Sequence, residues 1–202
     1  MKRQSLLIGL LILLVTISNS YAQFIPSVRV SSTSMKLNQK NTFQGTINDV
    51  AQINSIGVGP SINMESKRFL FQGSLLKHFN TEGESLISED MSAIARRKAS
   101  EFNFMVGYKL NANKDIQFYP FFTFGRYNLG IEVEETIDNQ TLTLKDNIIF
   151  NEVGGGIGAH YIHNNFLFDL QVSMKESTGE DFFGSNFGVG FGVGYVLGGR
   201  EN

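Results

Sequence analysis

Hydrophobic and polar residues alternate with a period of two along most of this 202-residue chain. The clearest window is 187–197, where every second residue is large and apolar and nearly all residues between are glycine. Side chains of a β-strand point alternately to opposite faces, so this window has one apolar face and one nearly bare face. It therefore predicts a β-strand.

The same alternation recurs through the rest of the chain. In 166–175, for example, Phe168 and Leu170 alternate with Asp169 and Gln171. The pattern predicts eight strands, of which the first is the weakest because a run of serines dilutes its alternation. The predicted strands are 24–35, 53–64, 69–80, 100–111, 116–133, 147–162, 166–176 and 185–197.

The connections between these strands alternate in length. The short turns lie at 65–68, 111–115 and 163–165, and the longer polar connections at 36–52, 81–99, 134–146 and 177–184. Short periplasmic turns and longer extracellular loops are typical of outer-membrane barrels. Strands of about 11 residues tilted by roughly 45° also match the thickness of a bilayer. The predicted fold class is therefore all-β, an eight-stranded antiparallel up-and-down transmembrane β-barrel.

Alternation alone also fits a soluble barrel or sandwich whose apolar face points inward. Three features favour an outward apolar face. The polar parity is rich in glycine, which leaves lumen space for bulkier neighbours, and several strands exceed the usual length in globular sheets. Four tyrosines also fall near the predicted periplasmic strand ends, where an aromatic girdle belongs. The predicted girdle residues are Tyr108, Tyr119, Tyr161 and Tyr195.

Two short turns predict the register of the strands beside them. Asn164–Asn165 is suited to a type I′ turn, because asparagine tolerates the positive φ values that this turn requires. A turn at Ser66–Lys67 is predicted in the same way. The resulting pairs are His163 with Phe166, His160 with Asp169, and Ser55 with His78. The second and third pairings place polar residues opposite polar residues, which supports both strands and turns.

A third turn, at Asn113–Lys114, sets Glu101 opposite Arg126 and fixes the faces of the fifth strand. The residues that this register sends outward are Tyr119, Phe121, Tyr127, Leu129 and Ile131, and those it sends inward are Phe118, Phe122 and Phe124. Glycines of the sixth strand would make room for the three inward rings. A β-bulge near Gly125 that reverses the faces is the alternative; we expect the unbroken register.

The first residues predict export. A positively charged start is followed by the apolar run Leu6–Ile17 and by small residues ahead of Gln23, as in a secretory signal peptide. The run is too short for a membrane helix, which needs about 20 residues. We therefore expect a signal peptide at 1–22, cleaved before Gln23, and a barrel domain at 23–202 in the cell outer membrane.

Composition and spacing exclude several kinds of chemistry. The chain has 17 Lys+Arg, 19 Asp+Glu and no Cys, which gives no reason to expect nucleic acid as a partner and excludes thiolate sites. His160 and His163 lie on opposite faces of a strand, so we expect no shared metal, and we expect His160 to bond Asp169. Ser74 and His78 are too far apart along a strand to bond. The sequence predicts no catalytic residue, metal site or cofactor.

Charged residues on the inward parity are expected to form a lumen network. Buried charges must be paired to be tolerated, and eight strands leave little room for an ion path. We therefore expect structural filling of the barrel. The predicted lumen residues are Arg29, Glu101, Lys109, Arg126, Glu152, His160, Asp169 and Lys175.

Two outer segments are candidates for recognition, since binding residues concentrate on loops. Ser88–Lys98 begins with acidic and ends with basic residues, which suits a short helix. Its basic end, formed by Arg96, Arg97 and Lys98, is a candidate contact for lipopolysaccharide phosphates, although the composition favours a solvated loop. Ile131–Leu144 is predicted to be a hairpin that continues above the membrane.

Several motifs resemble those of a known family. They are the signal end Ser20-Tyr21-Ala22-Gln23, the strands Gly57-Val58-Gly59-Pro60 and Phe118-Tyr119-Pro120-Phe121, and the closing strand 187–197. The chain resembles the outer-membrane β-barrel domain family of Gram-negative bacteria, which includes PorT-like and small eight-stranded barrels. The resemblance implies an outer-membrane location and no shared active site. One departure is the end of the last strand. Many such barrels end on an aromatic residue, whereas this strand ends at Leu197 and is followed by residues 198–202.

The sequence as a whole predicts a non-enzymatic outer-membrane protein with a structural, adhesive or surface-recognition role through its extracellular loops. Two alternatives stay open: a barrel-embedded hydrolase that acts on envelope lipid, and a soluble periplasmic ligand-binding barrel. The expected partners are outer-membrane lipid, lipopolysaccharide and, during biogenesis, the barrel-insertion machinery. The sequence does not identify a surface ligand.

Overall fold

The computed structural model describes residues 23–39, 48–88, 91–111, 115–137, 140–179 and 182–197, so the predicted signal peptide lies outside the described residues. Eight strands form from these segments. They are β1 (Gln23–Gln39), β2 (Asn48–Glu65), β3 (Phe69–Ser88), β4 (Met91–Tyr108), β5 (Ile116–Ile137), β6 (Gln140–His163), β7 (Phe166–Thr178) and β8 (Phe182–Tyr195). Across this part of the chain, no helix is long and apolar enough to cross a membrane.

The eight strands form one closed barrel in sequence order. Each strand is antiparallel to its neighbours, and β1 pairs with β8 from Ser27↔Gly194 to Gln39↔Phe182 to complete the ring. A closed barrel leaves no unpaired edge, which is the condition for a β-sheet to span lipid. The predicted eight-stranded, up-and-down fold is confirmed.

The apolar face of the barrel points outward. Phe168 and Leu170 on β7 are 39% and 51% exposed, and Phe187 and Phe191 on β8 are each 48% exposed, while the alternate residues Asp169, Gly188 and Gly190 are buried. A protein dissolved in water does not expose so large a continuous apolar surface around its barrel. The alternative of a soluble barrel with an apolar pocket is therefore wrong, because the interior face carries the polar residues.

This exposed apolar surface forms a band, which we call the apolar band. Its lower edge carries the short turns and the exposed rings of Tyr108, Tyr161 and Tyr195. On β7 the band runs from Phe166 to Met174, which at about 3.3 Å per residue and a tilt of about 45° is roughly 20 Å tall. Outward-facing polar residues mark its upper edge: Ser32, Lys77, Ser100, Arg126, Asn151, Glu176 and Ser185.

The turn between β6 and β7 has the predicted geometry. Asn164 and Asn165 have φ values of 47° and 67°, as a type I′ turn requires. The predicted pairs His163↔Phe166 and His160↔Asp169 are both formed. This register prediction is confirmed.

The turn between β2 and β3 differs from the prediction by one position. Ser66 donates its backbone N–H to the carbonyl of Phe69 at 2.9 Å, so the central turn residues are Lys67 and Arg68. His78 is consequently opposite Gly57, and the predicted pairing with Ser55 is wrong. The error amounts to two residues, so every side chain keeps its predicted face.

The turn between β4 and β5 differs in a way that reverses the faces of β5. Leu110 donates its N–H to the carbonyl of Phe118 at 2.9 Å, and the Asn111 side chain bonds both the carbonyl of Ile116 and the N–H of Phe118. Glu101 is therefore opposite Tyr127, one residue from the predicted partner. The pairing of β5 with β6 runs unbroken, so no bulge interrupts this strand. The inward and outward faces of β5 are nevertheless the reverse of those predicted.

Because the faces of β5 are reversed, two predicted site assignments are wrong. Tyr119 is buried inside the barrel, so it is not part of the girdle, whereas Arg126 is exposed on the outer wall, so it is not part of the lumen network. The other described β5 orientations reverse as well, whereas the side chain of Ile131 lies outside the described residues. Phe121, Tyr127 and Leu129 point inward, and Phe118, Phe122 and Phe124 point outward.

Large inward rings still pack against the bare glycines of β6. Tyr119 lies opposite Gly158 and Phe121 opposite Gly156. A Cβ atom at Gly158 would collide with the Tyr119 ring, and one at Gly156 would lie 2.6 Å from Phe121 Cζ. The expected pairing of large with small residues therefore holds, with the other set of rings.

Strands β3, β4, β5 and β6 continue furthest beyond the apolar band, while β1 and β2 stay paired above Ser32 as far as Gln39↔Asn48. β3 and β4 stay paired to Ser88↔Met91, and β5 and β6 stay paired to Ile137↔Gln140. The hairpin predicted at Ile131–Leu144 is confirmed. The helix predicted at Ser88–Lys98 is wrong, because pairing with β3 on one side and β5 on the other holds 91–98 as a strand.

We call this extension the projecting sheet. It consists of the strand segments 79–88, 91–100, 127–137 and 140–150. The pairing of β2 with β3 ends at Gly57↔His78, and that of β6 with β7 ends at Asn151↔Thr178. Within the described residues, the outer strands of the projecting sheet therefore each have one unpaired edge.

Candidate functional site

The barrel interior holds most of the charges that the alternation predicted there. Seven of the eight are buried, with Arg126 the exception. Those seven are Arg29, Glu101, Lys109, Glu152, His160, Asp169 and Lys175. They fall into a lower group near the short turns and an upper group near the top of the apolar band.

The lower group is centred on an ion pair between Arg29 and Asp169, with Nη1 and Oδ2 2.8 Å apart. Arg29 also donates to Gln72 at 3.2 Å and to Gln171. Asp169 accepts further bonds from the Tyr119 hydroxyl and, at 2.9 Å, from Gln171 Nε2. Both buried charges are therefore paired and further hydrogen-bonded, which is the condition for their burial.

A second part of the lower group surrounds Glu65. Lys109 Nζ donates to Glu65 Oε2 at 3.2 Å, and His160 Nδ1 lies 3.4 Å from Glu65 Oε1. The other ring nitrogen of His160 lies 2.8 Å from Gln117 Oε1. The bond expected between His160 and Asp169 is not present, because Asp169 is directed to Arg29 instead.

The upper group is centred on Lys175. Its Nζ donates to Glu152 Oε2 at 3.0 Å and to Glu101. Glu152 also accepts from Asn186 at 2.8 Å and from Ser177 at 3.3 Å. One lysine between two carboxylates leaves a negative excess, which these amide and hydroxyl donors stabilise.

A chain of hydrogen bonds in the upper group joins three strands. Ser55 Oγ lies 2.8 Å from His78 Nδ1, and His78 Nε2 lies 3.0 Å from Glu101 Oε2. With the Nε2 proton directed to Glu101, Nδ1 can accept the Ser55 proton. A hydroxyl, an imidazole and a carboxylate in this order resemble a nucleophile, base and acid. The inward parity of all three residues was visible in the sequence, but their approach depends on registers it did not fix.

Apolar layers enclose both groups. Met35, Tyr127, Leu129, Ile148 and Phe150 form a buried cluster above the upper group. A second buried cluster at the level of the short turns consists of Ile25, Ile162, Leu167 and Val196. The interior cavity between the groups has a volume of about 30 Å³, which is room for one or two waters. The described residues therefore form a filled barrel with no open channel.

The described residues include no group of three His, Asp or Glu side chains that could hold a metal ion. His160 is buried and His163 is exposed, as their opposite parity requires. The His163 ring stacks on Tyr161 at a centroid distance of 5.8 Å. It contributes to the lower rim of the apolar band and not to the interior.

The predicted lipopolysaccharide contact falls on β4 at the base of the projecting sheet. Lys98 is exposed on the outer wall, two residues above Ser100 at the upper edge of the apolar band. The side chains of Arg96 and Arg97 lie outside what the structure describes. Their backbone positions are opposite Glu82 and Thr81 on β3.

The sequence matches no protein-family model and no curated protein. Solved structures are similar in fold. The attachment invasion locus protein Ail of Yersinia pestis, in complex with the heparin analogue sucrose octasulfate, has 15% identity and a TM-score of 0.50, covering 86% of this chain and 99% of that one. This chain has the fold of the small outer-membrane β-barrels.

Two further solved structures are similar at lower scores. Neisserial surface protein A has 10% identity and a TM-score of 0.42, covering 83% of this chain and 96% of that one. The outer membrane protease OmpT of Escherichia coli has 10% identity and a TM-score of 0.43, covering 87% and 97%. A fold does not by itself establish a function, so function must be argued from the site.

Proposed function

We propose that this protein resides in the outer membrane of a Gram-negative cell and acts there by surface recognition, without catalysis or transport. Three features of the molecule support the proposal. The apolar band suits a bilayer, the filled interior leaves no pathway, and the projecting sheet offers a rigid surface beyond the membrane. Its role is structural or adhesive, through the part of the barrel that lies outside the cell.

The placement follows from the asymmetry of the barrel. The segment 1–22 has the pattern of a signal peptide cleaved before Gln23, and Tyr108, Tyr161 and Tyr195 form a girdle at the end that carries the short turns. Short turns face the periplasm in outer-membrane barrels, so the projecting sheet extends outside the cell. In this placement the partners are membrane lipid and, during biogenesis, the barrel-insertion machinery.

The observation that carries the proposal is the projecting sheet itself. It continues for nine or more residues on each of four strands beyond the outward polar residues that end the apolar band. Its two outer edges carry unpaired backbone N–H and C=O groups within the described residues. Exposed edges of this kind bind partner strands by hydrogen bonding.

Location and orientation can be tested on intact cells. An epitope inserted at 138–139 lies at the tip of the projecting sheet, and the matched insertion at 164–165 lies in a short turn. We expect antibody to label intact cells through the first site and to label through the second only after permeabilisation. The reverse result, or a protein recovered without detergent, would contradict the proposed placement.

Recognition can be tested by shortening the projecting sheet. Gly130 and Asn147 are directly paired, so replacing 131–146 by Asn-Gly closes the hairpin with a suitable turn. The Ail structure contains a heparin analogue, and immobilised heparin is therefore our first probe. We expect cells with the intact barrel to adhere and cells with the shortened barrel to lose adhesion. Equal adhesion of both would exclude the projecting sheet as the binding surface.

The predicted contact with lipopolysaccharide belongs to the same placement. Arg96, Arg97 and Lys98 lie on β4 just above the apolar band, at the depth of lipid headgroups. Arginine and lysine form strong, charge-assisted bonds with phosphate. We propose that this segment contacts the phosphates of the outer leaflet.

A second candidate function is hydrolysis of envelope lipid, which the contacts of Ser55, His78 and Glu101 favour. Burial beneath the apolar layer opposes it. A fluorophosphonate probe, which labels activated serines, distinguishes the two. We expect no labelling of the folded barrel, whereas labelling that Ser55→Ala abolishes and the buried control Ser74→Ala retains would establish the hydrolase.

A further inference from the structure

The outer wall of the barrel carries a groove at the upper edge of the apolar band. It has a volume of about 940 Å³ and crosses β3, β4 and β5, with the edges of β2 and β6 at its sides. The floor of the groove is formed by two small residues, Ser100 and Gly130. They occupy outward positions at which the neighbouring strands carry long side chains. The wall is concave here, where a barrel surface is otherwise convex.

Three cationic side chains surround the floor of this groove. Lys77 on β3 lies directly opposite Ser100, and Lys98 lies two residues further up β4. Arg126 on β5 is opposite Phe102 and diagonal to Ser100. Diagonal neighbours on one face of a sheet are about 7–8 Å apart, within reach of long side chains. Lys98 and Arg126 are four residues apart in this register, about 14 Å between their backbones, so one ligand reaches all three head groups when it lies over Ser100 between them.

These cations have no counter-ion in the part of the chain that the structure describes. None of the three makes a hydrogen bond or an ion pair with a described residue. The one carboxylate among the described lining residues is Glu101, whose side chain points into the barrel and bonds Lys175 and His78 there. Among the described side chains, the groove consequently presents positive charge without a counter-ion.

The membrane side of the groove is apolar. Leu75 lies below Lys77 on β3 and Phe102 below Ser100 on β4; both are exposed on the wall and belong to its lining, with Pro60 at one side. Positive charge therefore lies toward the outside of the cell and apolar surface toward the hydrocarbon. A ligand that matches both parts needs an anionic head group attached to acyl chains.

We propose that this groove binds the phosphorylated lipid A portion of lipopolysaccharide in the outer leaflet. Lys77, Lys98 and Arg126 hold a phosphate, with Arg126 able to donate two parallel hydrogen bonds. An acyl chain lies along Leu75 and Phe102. Lys98 thus acts as one of three residues on three strands rather than as the end of a linear basic segment. The inference rests on the outer-membrane placement proposed above.

The test uses the purified full-length mature barrel in detergent, with diphosphoryl lipid A as the probe and dephosphorylated lipid A as its counterpart. Binding is measured by native mass spectrometry. We expect the wild-type barrel to retain the phosphorylated lipid, and Lys77→Gln/Arg126→Gln to weaken that binding by about tenfold or more. The charge-matched control Lys67→Gln/Arg68→Gln, at the short turns, should bind as the wild type does.

A second variant tests the shape of the groove without changing its charge. Ser100→Phe fills the floor while leaving the three cations in place, and the exposed outward position can accept the ring without disturbing the interior. We expect lipid A binding to fall although the net charge is unchanged. The heat-dependent gel shift of the folded barrel verifies that each variant is folded.

Three results would overturn the inference: equal weakening by the groove and short-turn variants, equal binding of the phosphorylated and dephosphorylated lipids, or unchanged binding by Ser100→Phe. These results do not depend on cell location. If the epitope at 138–139 is reached on intact cells while lipid A fails to bind, the proposed placement stands and the groove assignment falls.

Discussion

The part of the barrel inside the apolar band and the projecting sheet above it follow different rules. Inside the band, each strand is hydrogen-bonded to a neighbour on both sides, whereas the outer strands of the projecting sheet are paired on one side only within the described residues. Lipid offers no partner to a free N–H or C=O group, but water does. The ring must therefore be closed in the membrane, and the same strands can separate where water reaches them.

The two regions also differ in what stabilises them. The barrel depends on an interior of paired charges between apolar layers, while the projecting sheet depends on strand pairing in water. A substitution inside the apolar band should therefore lower the free energy of unfolding more than a comparable substitution in the projecting sheet. Four changes test this contrast, and for each the free energy of unfolding is measured by urea titration of the lipid-reconstituted barrel, followed by its gel shift.

The largest effect is expected for Asp169→Ala. It leaves Arg29 buried without its carboxylate, and removal of one partner of a buried pair costs about 3–5 kcal/mol. Glu176→Ala, which removes an exposed carboxylate from the outer face of the same strand, is the control and should change stability by less than about 0.5 kcal/mol. Similar losses for the two variants would show that the interior pair is not a principal source of stability.

The next effect concerns the lipid-facing wall. Leu170→Lys places a charge on the apolar band, which costs about 2–4 kcal/mol near the middle of a bilayer. Thr178→Lys places the same charge at an exposed position on the top of β7, where the cost should be near zero. If both substitutions are tolerated equally, the assigned height of the membrane is wrong.

A smaller effect is expected inside the barrel for Gly158→Val. The new side chain meets the Tyr119 ring, and such overpacking typically costs about 1–3 kcal/mol. At Gly130, in the projecting sheet, the nearest atom to an added Cβ is the Lys98 carbonyl oxygen at 3.6 Å. Gly130→Val should therefore be close to neutral, and a larger loss there than at Gly158 would reverse the contrast.

The smallest effect is expected for the variant in which Asn-Gly replaces 131–146. It removes most of one hairpin of the projecting sheet but none of the interior ion pairs and none of the apolar band. We expect the free energy of unfolding to change by less than about 1 kcal/mol. A strongly destabilised variant would show that the projecting sheet supports the barrel beneath it.

The sequence predicted the strands well where one face had to be apolar. The alternation in β7 and β8 and the turn at Asn164–Asn165 are both local signals, and they determined the faces and the register together. The projecting sheet was harder to predict, because strands in water need no apolar face. Its segments at 81–99 therefore had the composition of a loop, and a helix was predicted where β4 begins.

The faces of β5 could not be predicted from the pattern. This strand carries aromatic rings on both parities, so hydrophobicity does not distinguish a register from its one-residue shift. The register of β5 was therefore predicted from the turn between β4 and β5. The side chain of Asn111 bonds the backbone of β5 there, and the pairing of the two strands is shifted by one residue from the prediction. Because Arg126 was assigned to the interior, the sequence could not indicate its place beside Lys77 and Lys98.

The contacts of Ser55, His78 and Glu101 show a similar limit. The three residues lie on three strands, and each shares the inward parity that the alternation assigns to it. Their order along the hydrogen bonds depends on two independent registers, of which one was predicted two residues away. Parity can therefore identify which residues face the interior, but not which of them meet.

The ion pair between Arg29 and Asp169 has a consequence for biogenesis. Arg29 lies on the first strand and Asp169 on the seventh, 140 residues later, and only the joining of β1 to β8 brings them side by side. During synthesis and insertion, both groups stay exposed to water or to transient partners until nearly the whole polypeptide has been inserted. A truncated or stalled chain keeps both charges unneutralised, so the membrane accepts the finished cylinder far more readily than any fragment of it.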